Sequence, residues 1–315
     1  MKKKRILILI GIVCIAAVLL VLAFSTGVFG IPDMNAVTVG FINPNSNDTY
    51  YSMVESALRA AVEEKNHEFI SLDAGGDNSA IYVNAEMLEN RHVDVIVTFN
   101  DMTRFPSDAA DFLAEAGTPF IVLDNPLVGA VYCGFDHSSA GEKLGKQLAS
   151  SAQKQLGGAD LILSLQAAAP GYAQNVRAEA ALEALKVKTG INEDYMVSVA
   201  SAADEKSVTA QLKTIFEDSP SLGKIVIVCE NDQYAKAALA AAETLNYSDQ
   251  VVIGSFSDGM DFAAADNFKA GKNAWVCSVL LPPDDLTQHL SQTVFKAVKD
   301  KDLSDCIIDT KLLTH

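Results

Sequence analysis

Basic residues are scarce in this chain, and so are the parts of most catalytic sites. Its 315 residues include 24 Lys or Arg against 40 Asp or Glu, a formal net charge of -16. A balance of that sign repels a phosphate backbone, so no nucleic acid is expected as partner, and a charge-driven membrane contact is disfavoured. Histidine occurs five times, at His67, His92, His137, His289 and His315, with no shared helix face or short spacing. No metal site is expected from them. No nucleophile elbow, phosphate loop or zincin motif is present. Gly75-Gly76 reads as a turn, too short for a dinucleotide fingerprint, and Ser46 and Ser257 have no base visible beside them. One tryptophan supplies fewer aromatic platforms than a glycan-hydrolysing cleft usually carries. The expectation is a protein with no catalytic residues, no cofactor and no metal.

Cysteine is also sparse. Cys133, Cys229, Cys277 and Cys306 sit in strand-like runs, and no pair has metal spacing. An exported chain could pair them, but four scattered thiols packed as small hydrophobes is the simpler expectation. Low-complexity tracts are missing, and 49% of the residues are hydrophobic, which excludes a mainly disordered chain.

The amino terminus stands apart. Lys2, Lys3, Lys4 and Arg5 precede an uncharged apolar run from Ile6 to Phe24, about long enough to cross a bilayer. Residues 1–31 therefore read as a signal peptide or a membrane anchor, and the positive-inside rule places the rest outside the cytoplasm, secreted or anchored. The length of the run favours a retained anchor, whereas Ala23 and Ser25 offer the small-x-small spacing a signal peptidase cuts after. Cys14 follows Val13, not a small residue, so it does not read as a lipid-acylation site.

From Ala36 onward, apolar strand-like runs alternate with amphipathic helical ones. This is the pattern of a doubly wound α/β fold. Strands are expected near 36–41, 69–73, 93–99, 120–124 and 131–135, and after the break at Gly157-Gly158 the rhythm restarts, near 161–165, 196–200, 224–229, 251–255 and 275–280. Two such arrays suggest two similar Rossmann-like lobes with parallel sheets flanked by helices. Each strand ends in polar residues: Asn43 to Tyr51, Asp73, Asn100-Asp101 and Asp124-Asn125 in the first array, and Gln166, Ser201, Glu230-Asn231-Asp232 and Ser257-Asp258 in the second. Carboxyl ends of parallel strands are where ligands bind, and amides with carboxylates suit a neutral polyhydroxylated ligand. The same residue types also cap helices, and Tyr50 and Tyr51 could equally staple a helix start into the core.

NDTYYSMVESAL, PFIVLDN, CGFDHSSAGEKLG, NVRAEAAL, IVCENDQYAKAAL, VVIGSFSDG and NAWVCSVLLPP occur in an order and spacing that resembles the type I periplasmic binding proteins. Within them the chain is most similar to the ribose and galactose branch of extracellular solute-binding proteins of ABC transporters. The resemblance covers everything from Ala36 to the carboxyl terminus. It implies two lobes joined by three hinge crossings, near Phe135-Asp136, Leu281-Pro282 and Cys306. The lobes would be 36–135 plus 282–305 and 136–281 plus 306–315. Position by position, it implies ligand contacts from Asp48, Tyr50, Tyr51, Asp124, Arg177 and Asn231, with Asn125 where ribose binders usually carry a second arginine. Ser257 or Asp258 matches a further carboxylate, with Asp258 preferred. A second-lobe ring is replaced near Ala203, and a glutamine by Leu280 or Leu281, so a sugar other than ribose, or a smaller polar solute, is implied. The expected partners are that small ligand and an ABC permease, or a sensor kinase in its place. The membrane is reached through the N-terminal segment, and the protein is expected to be a monomer.

Overall fold

The computed structural model describes residues 36–100, 107–218, 221, 223–257 and 274–314. The apolar run from Ile6 to Phe24, Asp101 and Asp258 lie outside them. Among the described residues, no helix is long and apolar enough to cross a membrane.

The first array builds β1 (Thr38–Asn43), α1 (Thr49–Glu63), β2 (Glu68–Asp73), α2 (Asn78–Glu89), β3 (Val95–Phe99), α3 (Ser107–Ala116), β4 (Phe120–Leu123) and β5 (Val131–Phe135). The second builds α4 (His137–Gln155), β6 (Leu161–Gln166), α5 (Tyr172–Thr189), β7 (Met196–Ala200), α6 (Glu205–Asp218), β8 (Ile225–Cys229), α7 (Asp232–Thr244), β9 (Val251–Ser257) and β10 (Trp275–Leu280). The chain then returns through α8 (Pro283–Phe295) and ends in β11 (Cys306–Ile308) and β12 (Lys311–Thr314). Two six-stranded sheets result, in the orders β11-β5-β4-β3-β1-β2 and β12-β10-β9-β8-β6-β7. All pairs are parallel except β12 with β10.

Central strands carry apolar residues on both faces because helices cover both. Every residue of β3 and of β8 is buried. The edge strand β7 keeps only Val199 buried. In each sheet the chain steps to one side and then reverses, with β1 between β2 and β3 and β6 between β7 and β8. A crevice opens at the carboxyl ends of the strands where the order reverses.

Three passages join the sheets. The first runs from β5 into α4, and the second from β10 through Leu281-Pro282 into α8, which packs on α1 and β5. The third lies at Asp309-Thr310, beyond Cys306. Cys306–Ile308 still pairs with β5 in the first sheet, so residues 306–308 belong with that sheet and not with the second. This passage is pinned by Lys143 of α4, whose Nζ lies 2.5 Å from Asp309 Oδ1 and donates to the Thr310 carbonyl at 2.9 Å. It runs beside the first one, the Asp136 N–H donating to the Ile308 carbonyl at 3.4 Å.

Cys133 and Cys306 stand opposite each other in register on β5 and β11, and all four described thiols are unbonded. The Cys133 hydrogen bond to Cys306 raises the first and holds the second below the usual thiol range, with Thr293 helping at Cys306. Cys229 and Cys277 are buried, and burial pushes them up. A maleimide at neutral pH is therefore expected to label Cys306 first and the other three only on unfolding. A peptide map with Cys229 or Cys277 labelled at a similar rate in the native protein would contradict this packing.

Candidate functional site

Polar groups at strand ends divide into those that close their own loops and those that face outward. Asn43 is fully buried, with Nδ2 donating to Glu55 Oε2 at 2.8 Å and Oδ1 accepting from the Asn45 N–H at 3.0 Å. Asp73 accepts from the Ser46 hydroxyl and from the Gly75 N–H at 2.8 Å, which holds its carboxyl below the usual range. Asn100 donates from Nδ2 to the Asn125 carbonyl at 3.0 Å. These three brace loops.

The others converge on a cavity of about 410 Å³ between the two sheets, within the range of small-molecule sites. Asp48, Tyr50, Tyr51 and Asp124 enter from the first sheet, and Arg177, Glu230, Asn231 and Ser257 from the second. Asn125 is not among the lining residues; its carbonyl is turned to Asn100.

Asp48 is both cap and lining. Its Oδ1 accepts from the N–H of Tyr50 at 2.8 Å and of Tyr51 at 3.3 Å, the usual way to satisfy the first turn of a helix. The two tyrosines also serve twice, since their rings pack on core Phe99 at centroid distances of 5.7 and 4.6 Å while lining the cavity. Asn231 caps α7 through Oδ1, which accepts from Gln233 and Tyr234, and its Nδ2 is then the group with capacity to donate. Asp124 follows β4 with φ +67°, a left-handed conformation tolerated by few residues other than glycine. That turn ends the strand and carries the carboxylate to the cavity.

Glu230, one of the strand-end carboxylates named from the sequence, lines the cavity, as do His137, Gln174 and Phe256, which the sequence did not single out as ligand contacts. Glu230 Oε2 accepts from the Ala167 N–H at 2.7 Å, tying the ends of β8 and β6 together. Phe256 lies under Arg177, with the guanidinium carbon 5.3 Å from the ring centroid. His137 opens α4 behind Asp136, whose carboxylate caps the helix by accepting from the Ser139 N–H at 2.8 Å. Its pairing with Arg177 leaves no local mark in the sequence, whereas its place directly after a capping aspartate does. Among the described residues no cluster of His, Cys, Asp or Glu could hold a metal ion.

Three carboxylates, one guanidinium and aromatic rings from both sheets line the cavity. The periplasmic binding protein domain matches residues 39–301. The chain belongs to that family. Periplasmic binding proteins are extracytoplasmic. Among solved structures, this periplasmic binding protein is similar to an ABC transporter solute-binding protein from Bacillus halodurans C-125 with bound myo-inositol. The two are 19% identical, with a TM-score of 0.72, over 90% of this chain and 96% of that one. It is also similar to a solute-binding protein from Actinobacillus succinogenes 130z with bound D-allose, at 17% identity and TM-score 0.68, over 88% and 97%. The XylFII-LytSN complex matches at 16% identity and TM-score 0.67, over 89% and 98%. No curated protein matches the chain.

Proposed function

We propose that this protein binds a neutral sugar or polyol between its two lobes and delivers it to an ABC permease, without catalysing a reaction. The observation that carries the reading is the composition of the cavity. Asp48, Asp124 and Glu230 outnumber Arg177 among the described lining residues, which opposes an anionic ligand and suits hydroxyl groups. Tyr50, Tyr51 and Phe256 supply flat faces for the carbon side of a ring. Asp48, Tyr50, Tyr51, Asp124, Arg177 and Asn231 are the ligand contacts. Asn125 stays outside the lining, its N–H on the Leu123 carbonyl and its own carbonyl accepting from Asn100, and Ser257 is the last residue of β9. The lobes, split at the passages between the sheets, close because some contacts need both at once. The protein acts as a monomer outside the cytoplasm, anchored at the membrane by its N-terminal segment or secreted once that segment is cut.

A second reading presents the closed form to a membrane sensor in place of a permease. The likeness to a chain solved within a two-protein complex favours it.

A thermal-shift panel of the soluble part tests the ligand class, using myo-inositol, D-allose, allitol and glycerol against amino acids and nucleosides. Ligand at 100 times its dissociation constant adds about 2.7 kcal/mol, a rise of several degrees. A shift confined to amino acids or nucleosides would keep the fold and overturn the ligand.

A further inference from the structure

We propose that His137 is a positioning residue, whose neutral ring, protonated on Nε2, holds the Arg177 guanidinium where it meets the ligand. The inference rests on Arg177 being a ligand contact, as proposed above.

Arg177 Nη1 and His137 Nδ1 are 3.2 Å apart. A guanidinium carries donors only, so Nδ1 must accept, and the single proton of a neutral imidazole then sits on Nε2. His137 is only 8% exposed. Burial first, and the Arg177 charge second, hold its pKa down to about 3, with the nearby Asp124 backbone opposing weakly. Between pH 5 and 8 the ring stays an acceptor for Arg177.

Placement supports the role. His137, Gly141 and Gly145 are spaced by four and share one face of α4, the face that meets α5 at Arg177 and Ala181. Arg177 is thus fixed at its backbone by the helix contact and at its head by His137 and by the Phe256 ring over which it lies. Arginine has many rotamers, and ordering it before the ligand arrives moves that entropy from binding to folding. His137 also sits at the passage out of β5, next to Asp136, so the device stands at the joint between the lobes.

The test compares His137→Phe, which keeps a ring but has no acceptor, with His137→Asn, whose Oδ1 falls near the position of Nδ1. Nitrogen-15 spectra of the ligand-free wild type are expected to show a neutral ring protonated on Nε2 at pH 7. A ring protonated on Nδ1, or a cationic one, overturns the proposal. Calorimetry with myo-inositol, D-allose and allitol is expected to show His137→Phe weakened by about tenfold or more, as for loss of a hydrogen bond to a charged group. His137→Asn should stay within about threefold of wild type, with both melting temperatures near it. Wild-type affinity in His137→Phe overturns the proposal; if that variant does not fold, His137→Ala is read in the same way. If wild type itself binds none of these polyols, the ligand class above fails, and the rate of phenylglyoxal modification at Arg177 decides the positioning role. Faster modification in His137→Phe but not in His137→Asn supports it, and equal rates overturn it.

Discussion

Replacing Asp124 with glycine should leave the fold near its normal stability and remove ligand binding. The position has φ +67°, where an L side chain other than Asn or Asp costs about 1–2 kcal/mol. Glycine relieves the steric part and gives back roughly 0.5–1 kcal/mol as lost chain entropy, so melting should change little. The carboxylate is lost altogether. If it accepts two ligand hydroxyls, each bond to a charged group contributes about 1.5–3 kcal/mol, and affinity falls by at least about a hundredfold. Asp124→Ala loses binding to the same degree but keeps the unfavourable φ with a residue less suited to it, and should melt lower than Asp124→Gly. Calorimetry and melting curves on both variants separate the two roles. Affinity retained in Asp124→Gly would remove this carboxylate from the site and leave only its turn.

That residue also illustrates how far the chain could be read. The central strands were legible because burial on both faces writes continuous apolar runs, as in Phe120–Leu123 and Ile225–Cys229. The closing elements were not. Cys306–Ile308 is three residues between polar neighbours, too short to show a period, and its placement in the first sheet comes from pairing with β5. Strand-end polar residues were legible as a set but not one by one, because capping, loop closure and ligand contact use the same side chains. Asn43, Asp73 and Asn100 turned inward to their loops, while Asp48 and Asn231 cap helices and still line the cavity. Ser257 lines the cavity as the last residue of a strand two residues longer than its apolar run suggested. His137 stayed hidden for a different reason. Its role depends on a contact with Arg177 forty residues away, and no local pattern encodes that.

Gly141→Ala is expected to weaken ligand binding by about ten- to a hundredfold without touching the cavity. A Cβ at Gly141 would lie 2.3 Å from the Arg177 carbonyl oxygen and 2.6 Å from Ala180 Cβ. Backbone cannot rotate aside as a side-chain tip can, so α5 must retreat by roughly 1 Å. Overpacking of this kind costs about 1–3 kcal/mol, offset by the roughly 1 kcal/mol that alanine gains over glycine in a helix. The residue carried away is Arg177, whose bonds to His137 and to a ligand both depend on its backbone position. Gly145→Ala provides the control, since its Cβ would meet the Ala181 carbonyl at the same 2.3 Å one turn further from the cavity. The two variants should melt alike. A pivot at Gly145 displaces Arg177 less than a direct push at Gly141, so binding should suffer more in Gly141→Ala. Equal affinities at equal stabilities would mean that the helix contact holds the second sheet together but does not set the guanidinium's place, and Arg177 would then be fixed by His137 and Phe256 alone.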